Sequence, residues 1–195
     1  MSAHPLAKHL HAQQLDPVVI KAVEQAFQVQ TVSRKAQLLR PGDTASHLYY
    51  VETGGLRVYY EKLGKDLSGY FFLENGFAGA YDSFITQQPS RQGLEAMEES
   101  TLWGISYPAF QQLLNTHPVL NRWIRVLLEE RFVALHALYA AHLLDSPAER
   151  YRWLCDTRPE LLQRVPQHQL ATFLGITPVS LSRIRRRQQA VEGGL

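Results

Sequence analysis

The hydrophobic period of this chain changes twice, and those changes bound what it can fold into. Apolar residues that recur every two positions build strands; those that recur every three or four build helices. The first thirty residues read as helix. Asp16 followed by Pro17 makes an N-cap with proline at the first helical position, and Val19, Ile20, Val23 and Phe27 follow at helical spacing. From about Thr31 short β-rich runs take over, at 47–51, 56–61, 67–73, 93–97 and 101–105. Gly54-Gly55 is a hairpin signal, Arg40-Pro41-Gly42-Asp43 is a turn, and Leu56, Val58 and Tyr60 share one strand face. Short strands at regular spacing predict a small antiparallel roll or barrel. Near Tyr107 the period becomes helical again. The expected class is α+β: an antiparallel β-roll followed by helices.

In the helical part a short helix is expected at 108–114, and Pro118 opens a long one. Val119, Val126, Val133 and Ala140 repeat every seven residues; so do Leu120, Leu127, Ala134 and Ala141, and Ile124 and Leu138 widen the stripe. Such a stripe is too broad to rest on a single partner. One side can cover the β-roll and the other a second copy of the helix, in the manner of a coiled coil. A core helix inside one domain is the alternative. Val119, Leu120, Val126, Leu127, Val133 and Ala134 are the candidate dimer residues. Ser146-Pro147-Ala148-Glu149 then reads as a new helix start, with serine as cap, proline first and glutamate placed to reach back. The expected borders are an N-terminal helix and β-roll at 1–117, a dimerisation helix at 118–145 and a C-terminal domain at 146–195.

Composition removes several function classes. The 195 residues, 45% hydrophobic and 19% charged, suit one large globular domain or two small ones. No apolar run is long enough to span a bilayer, and the first residues, MSAHPLAKHLHAQQ, hold no apolar signal core. The single cysteine, Cys155, excludes an intrachain disulfide framework and a cysteine-ligated iron–sulfur cluster. A cytoplasmic location and no membrane partner are expected. The net charge of +2 is unevenly spread: residues 1–145 hold 12 Lys+Arg against 14 Asp+Glu, whereas 146–195 hold eight arginines against four acidic residues. A basic C-terminal quarter points to a polyanion partner, with a solvated tail as the alternative.

The run from Val165 to Ile184 fits a helix-turn-helix. Leu170, Ala171 and Leu174 make an apolar face, with small Ala171 where a second helix crosses; Gly175 supplies the positive φ that ends the first helix. Ile176 plugs the gap, Thr177 caps the second helix, Pro178 starts it, and Leu181 and Ile184 face inward. That leaves Val179, Ser180, Ser182 and Arg183 outward, with Arg185, Arg186 and Arg187 at the far end. Arg183 is placed to reach guanine O6 and N7, and the triplet suits phosphates. Thr177 and His168 complete the candidate DNA-binding set.

Residues 15–190 resemble the Crp/Fnr family of bacterial transcription regulators. The resemblance rests on the glycine-turn hairpin 51–58, on 75–80 with 90–93 at the place of a phosphate-binding cassette, and on the recognition unit 174–184. It implies a cyclic-nucleotide-binding-like jelly roll, a homodimer and a roughly palindromic double-stranded operator, with RNA polymerase and an unidentified small-molecule effector as further candidate partners. It also implies a wing after the recognition helix, for which only Gln188–Leu195 remain, so that wing is expected to be truncated or absent. In cyclic-nucleotide binders of the family the cassette carries Phe, Gly, Glu and then Arg with a small hydroxyl residue and alanine. Phe77, Gly79 and Arg91 match. Ala80 stands where the glutamate would accept from the ribose hydroxyl, and Gln92 and Gly93 replace the small pair. An unpaired buried hydroxyl costs about 1–3 kcal/mol, so cyclic AMP is not the expected effector.

No other cofactor is expected. His4, His9 and His11 lack a regular metal-ligand spacing, and His136 and His142 lie about 120° apart on their helix. Cys155 is expected to pack rather than to sense redox state. No nucleophile–base constellation or P-loop is present, so an enzyme is not expected. The rival reading is a small-molecule-binding module whose C-terminal helices contact protein instead of DNA.

Overall fold

A computed structural model describes residues 15–192 together with residues 5, 6 and 10, with side chains to Gln188. The histidines at 4, 9 and 11 and the last three residues lie outside the described residues. Helix α1 spans Pro17–Ala26, and the Asp16 carboxylate accepts from the Val18 N–H at 2.7 Å. The helix ends earlier than its pattern suggested, because β1 (Gln28–Val32) begins at once. Seven strands follow: β2 (Gln37–Leu39), β3 (His47–Thr53), β4 (Leu56–Lys62), β5 (Lys65–Phe72), β6 (Phe77–Ala78), β7 (Gln92–Ala96) and β8 (Ser100–Ser106). The helices are α2 (Tyr81–Thr86), α3 (Tyr107–Thr116), α4 (Val119–Leu144), α5 (Pro147–Thr157), α6 (Pro159–Arg164), α7 (Gln167–Phe173) and α8 (Pro178–Glu192). The helix runs through Glu192, so no wing strand follows it among the described residues.

The strands form two four-stranded sheets, ordered β1-β8-β3-β6 and β2-β7-β4-β5, the two halves of a jelly roll. Chain contacts divide the molecule into two compact units. The first holds residues 1–60 and 71–129; the second holds 61–70 and 130–195.

The core of the first unit is built from Leu48, Val51, Leu56, Val58, Phe71, Leu94, Leu102 and Ile105, all buried. Burying each contributes about 1.5–3 kcal/mol before chain entropy is counted. The simple inside–outside alternation expected for β4 fails: Leu56 and Val58 are buried, and so are Arg57 and Tyr59 on the other face. In register, Arg57 lies opposite Glu95 and Tyr59 opposite Gly93. The second unit gathers the tip of the β4–β5 hairpin, the later part of α4, and α5 to α8. In it the Arg131 guanidinium stacks 3.8 Å from the Tyr70 ring centre, and the Ser68 N–H donates to Thr172 Oγ1 at 3.1 Å.

Candidate nucleic-acid interface and effector pocket

Helices α7 and α8 meet across a tight turn. Leu170, Ala171, Phe173, Leu174 and Leu181 are buried between them. Gly175 sits at φ +68°, where a side chain would find room but a strained backbone. The Ile176 N–H donates to the Ala171 carbonyl at 2.9 Å, closing the turn. Thr177 Oγ1 accepts from the Ser180 N–H at 3.2 Å and lies 3.0 Å from the Ser180 hydroxyl, the N-cap its position predicts.

Two residues to which the sequence assigned no part in this turn hold it. Arg150 is buried; its Nε donates to the Leu174 carbonyl at 3.0 Å and its Nη1 to the Asp145 carbonyl at 2.6 Å. The ring nitrogens of His142 lie 2.9 Å from the Leu138 carbonyl oxygen and 3.0 Å from that of Phe173. A neutral imidazole donates to only one of them at a time. Arg158 pairs with Glu160 at 3.2 Å and faces the Tyr70 ring. Arg150 and Arg158 of the C-terminal arginines are thus engaged within the fold.

The candidate contact residues do not all share one face. At about 100° per residue, Val179, Arg183, Arg186 and Arg187 fall within one sector of α8, and all four are exposed, Val179 by 62%. Ser180 and Ser182 flank that sector half-buried. Arg185 turns the other way, to the Tyr151 hydroxyl. Burial and Cys155 raise that phenol above its ordinary value, and Arg185 pulls it back down. His168 is exposed on α7.

On α4, Leu120 and Trp123 are buried in the first unit, while Val119, Val126 and Val133 are exposed. Leu127 is half-buried and Ala134 exposed. Phe132, Leu135, Tyr139 and Leu143, which the heptad reading left out, add a second exposed apolar row, with Phe132 70% exposed. His136 stacks on Phe132, ring centres 6.0 Å apart.

The candidate pocket residues are only partly brought together. Phe77 packs edge-on against Phe27, Tyr50 and Trp123, with ring centres 5.3–6.4 Å apart. Gly79 precedes Ala80, which is buried at the start of α2 and presents only a methyl group. Gln92 Nε2 donates to Asp82 Oδ1 at 3.1 Å. Arg91 is exposed. Burial holds the Tyr60 hydroxyl above its ordinary value; the Asp82 carboxylate pushes the same way and the Arg91 guanidinium the opposite way. The Tyr59 ring fills the space above Gly93 so closely that any side chain there would collide with it.

Tyr59 belongs to a partly buried polar network. Its hydroxyl donates to Gln37 Oε1 at 2.9 Å, Gln37 Nε2 donates to Glu95 Oε2 at 2.9 Å, and Arg57 Nε and Nη2 donate to Glu95 Oε1 at 2.9 and 2.6 Å. The Arg57 guanidinium also lies 5.0 Å from the Tyr59 ring centre. Among the described residues no group of His, Cys, Asp and Glu could hold a metal ion, and no helix is long and apolar enough to cross a membrane.

Comparison with known proteins agrees with this geometry. Residues 29–117 match the cyclic nucleotide-binding domain family. Among solved structures, the chain is similar to the c-di-GMP responsive global regulator CLP of Xanthomonas campestris, with TM-score 0.72 and 23% identity over 91% of this chain and 93% of that one. It is similar to a CooA mutant from Carboxydothermus hydrogenoformans, with TM-score 0.72 and 18% identity over 98% and 86%. The Thermus thermophilus catabolite activator protein aligns with TM-score 0.56 and 21% identity over 92% and 85%. A search of curated protein sequences finds no match. Residues 29–117 thus match the cyclic nucleotide-binding domain family, and the chain shares the fold of these solved structures.

Proposed function

We propose that this chain is a sequence-specific, DNA-binding transcription regulator that acts as a homodimer and is not an enzyme. The observation that carries this reading is the exposed sector of α8, where Val179, Arg183, Arg186 and Arg187 stand together above a closed helix-turn-helix. Arg183 reads a guanine through its fork, while Arg186 and Arg187 meet phosphates. Thr177, Ser180, Ser182 and His168 line the approach, and Arg185 supports the helix from behind. Residues 1–117 serve as sensor, 118–145 as dimer helix and 146–195 as DNA-binding domain. Two copies pair through α4, with Val119, Val126, Val133 and Ala134 at the seam beside Leu127, and Leu120 turned to the roll. Pairing sets two recognition helices one duplex turn apart, as half-site binding requires.

The pocket of Phe77, Gly79, Ala80, Arg91, Gln92 and Gly93 is degenerate, and cyclic AMP is not its ligand. RNA polymerase and a small-molecule effector are the further partners to test. The decisive experiment selects duplexes from a random library with the full chain and measures affinity at several salt concentrations, with sedimentation in parallel. A dimer binding one selected duplex, with affinity falling steeply as salt rises, is the expected result. A monomer, or a dimer that retains no duplex at low salt, overturns the proposal.

A further inference from the structure

We infer that Val179 reads the C5 methyl group of a thymine in each operator half-site. The inference rests on the DNA-binding reading above and adds the chemistry of the base. Val179 is the apolar member of an exposed sector whose other members are arginines. The surface it meets must therefore combine polyanion charge with an apolar group. The hydroxyls nearest it are engaged with each other and with the start of the helix. Thr177 Oγ1 takes the Ser180 N–H at 3.2 Å, and the two hydroxyls lie 3.0 Å from each other.

A valine can neither donate nor accept. Set against the edge of guanine, adenine or cytosine it would bury a polar atom without a partner, which costs affinity. In the major groove the one apolar feature is the thymine methyl. RNA fails on both counts, because uracil lacks that methyl and its major groove is too deep and narrow for side chains to read. Val179 and Arg183 are four residues apart and about 40° apart around α8, which separates them by roughly 6 Å along the helix. That reach spans about two base-pair steps, so the thymine lies within two pairs of the base Arg183 reads.

The test uses the full chain and the duplex selected above. Every thymine within two base pairs of the Arg183-dependent position is replaced in turn by deoxyuridine, which removes only the methyl group. At one position the replacement should weaken binding of the natural chain about fourfold per half-site, the value of one buried methyl. With Val179→Ala that loss should fall below about twofold, while the slope of affinity against salt stays unchanged. Replacing the same thymine by cytosine should weaken binding, and 5-methylcytosine should recover part of the loss. Selected half-sites without a thymine in that window overturn the inference alone, as does a deoxyuridine effect that survives Val179→Ala. A chain that binds no duplex overturns both this inference and the reading beneath it.

Discussion

Removing the Glu95 carboxylate should destabilise the β-roll more than a truncation of any surface acid in the chain. The Arg57 side chain is 2% exposed and Glu95 14%. Arginine cannot shed its proton to escape burial, so in Glu95→Ala its charge stays inside without that carboxylate. Two charge-assisted bonds, at 2.9 and 2.6 Å, are lost together with the bond that Gln37 makes to the other carboxylate oxygen. Breaking a buried pair costs about 3–5 kcal/mol, and the partial exposure of Glu95 favours the lower end. For a chain of this size about 3 kcal/mol corresponds to a fall of roughly 6–12 °C in Tm. Glu95→Gln, which keeps an amide oxygen for Arg57, should lose less. The pair Arg57→Met with Glu95→Leu should recover most of the loss, because no charge is then left buried. The assay is thermal and urea unfolding of all three variants, followed by circular dichroism. A loss below about 1 kcal/mol for Glu95→Ala, or a double variant less stable than Glu95→Ala, would refute the reasoning.

Val133→Glu puts a charge on the exposed row of α4, and sedimentation at micromolar concentration should report dimers for the natural chain and monomers for the variant. Calorimetry of the natural chain with cyclic AMP should show no sub-micromolar binding, and Ala80→Glu with Gln92→Ser should strengthen whatever binding there is. Ser146 Oγ accepts from the Glu149 N–H at 3.3 Å, and Glu149 Oε2 accepts from the Ser146 N–H at 2.8 Å. Ser146→Ala should cost about 1 kcal/mol in denaturant unfolding. The hydrogen bonds from Ser146 hold the Glu149 carboxyl below its ordinary value. Its stabilisation is therefore full above the ordinary glutamate value and fades as pH falls through the lower folded value; an acid titration of Glu149→Gln should lack that component. Arg186→Ala should weaken binding to all duplexes alike and reduce the salt slope by about one for each phosphate contact removed, whereas Arg183→Ala should relax the preference at one base pair.

What could be read from the sequence was whatever short-range physics decides. The proline-led starts at Pro17, Pro147 and Pro178, the left-handed turn at Gly175 and the strands on either side of Gly54-Gly55 each depend on a few neighbouring residues, and each is found where its pattern placed it. The weaker elements escaped. Strands β1, β2 and β6 and helix α2 are short and gain their stability from pairing with distant partners, such as Gln28 with Gly104 across β1 and β8. The family resemblance carried the fold class further than periodicity alone could.

Direction of side chains was decided only in three dimensions. A run of arginines announces charge but not where each guanidinium goes. Arg150 and Arg185 turn inward because carbonyls of two interhelical turns and a phenol of another helix meet them there, while Arg183 and Arg186 stay outside. Arg57 and Glu95 are 38 positions apart and become a buried pair only when β4 lies beside β7. Phe77 matches a pocket motif in sequence, yet Phe27, Tyr50 and Trp123 draw its ring into an aromatic cluster. Periodicity reports which face of an element is apolar, because that is written in its own residues. What the face meets depends on segments brought from far along the chain, and that information exists only once they have packed.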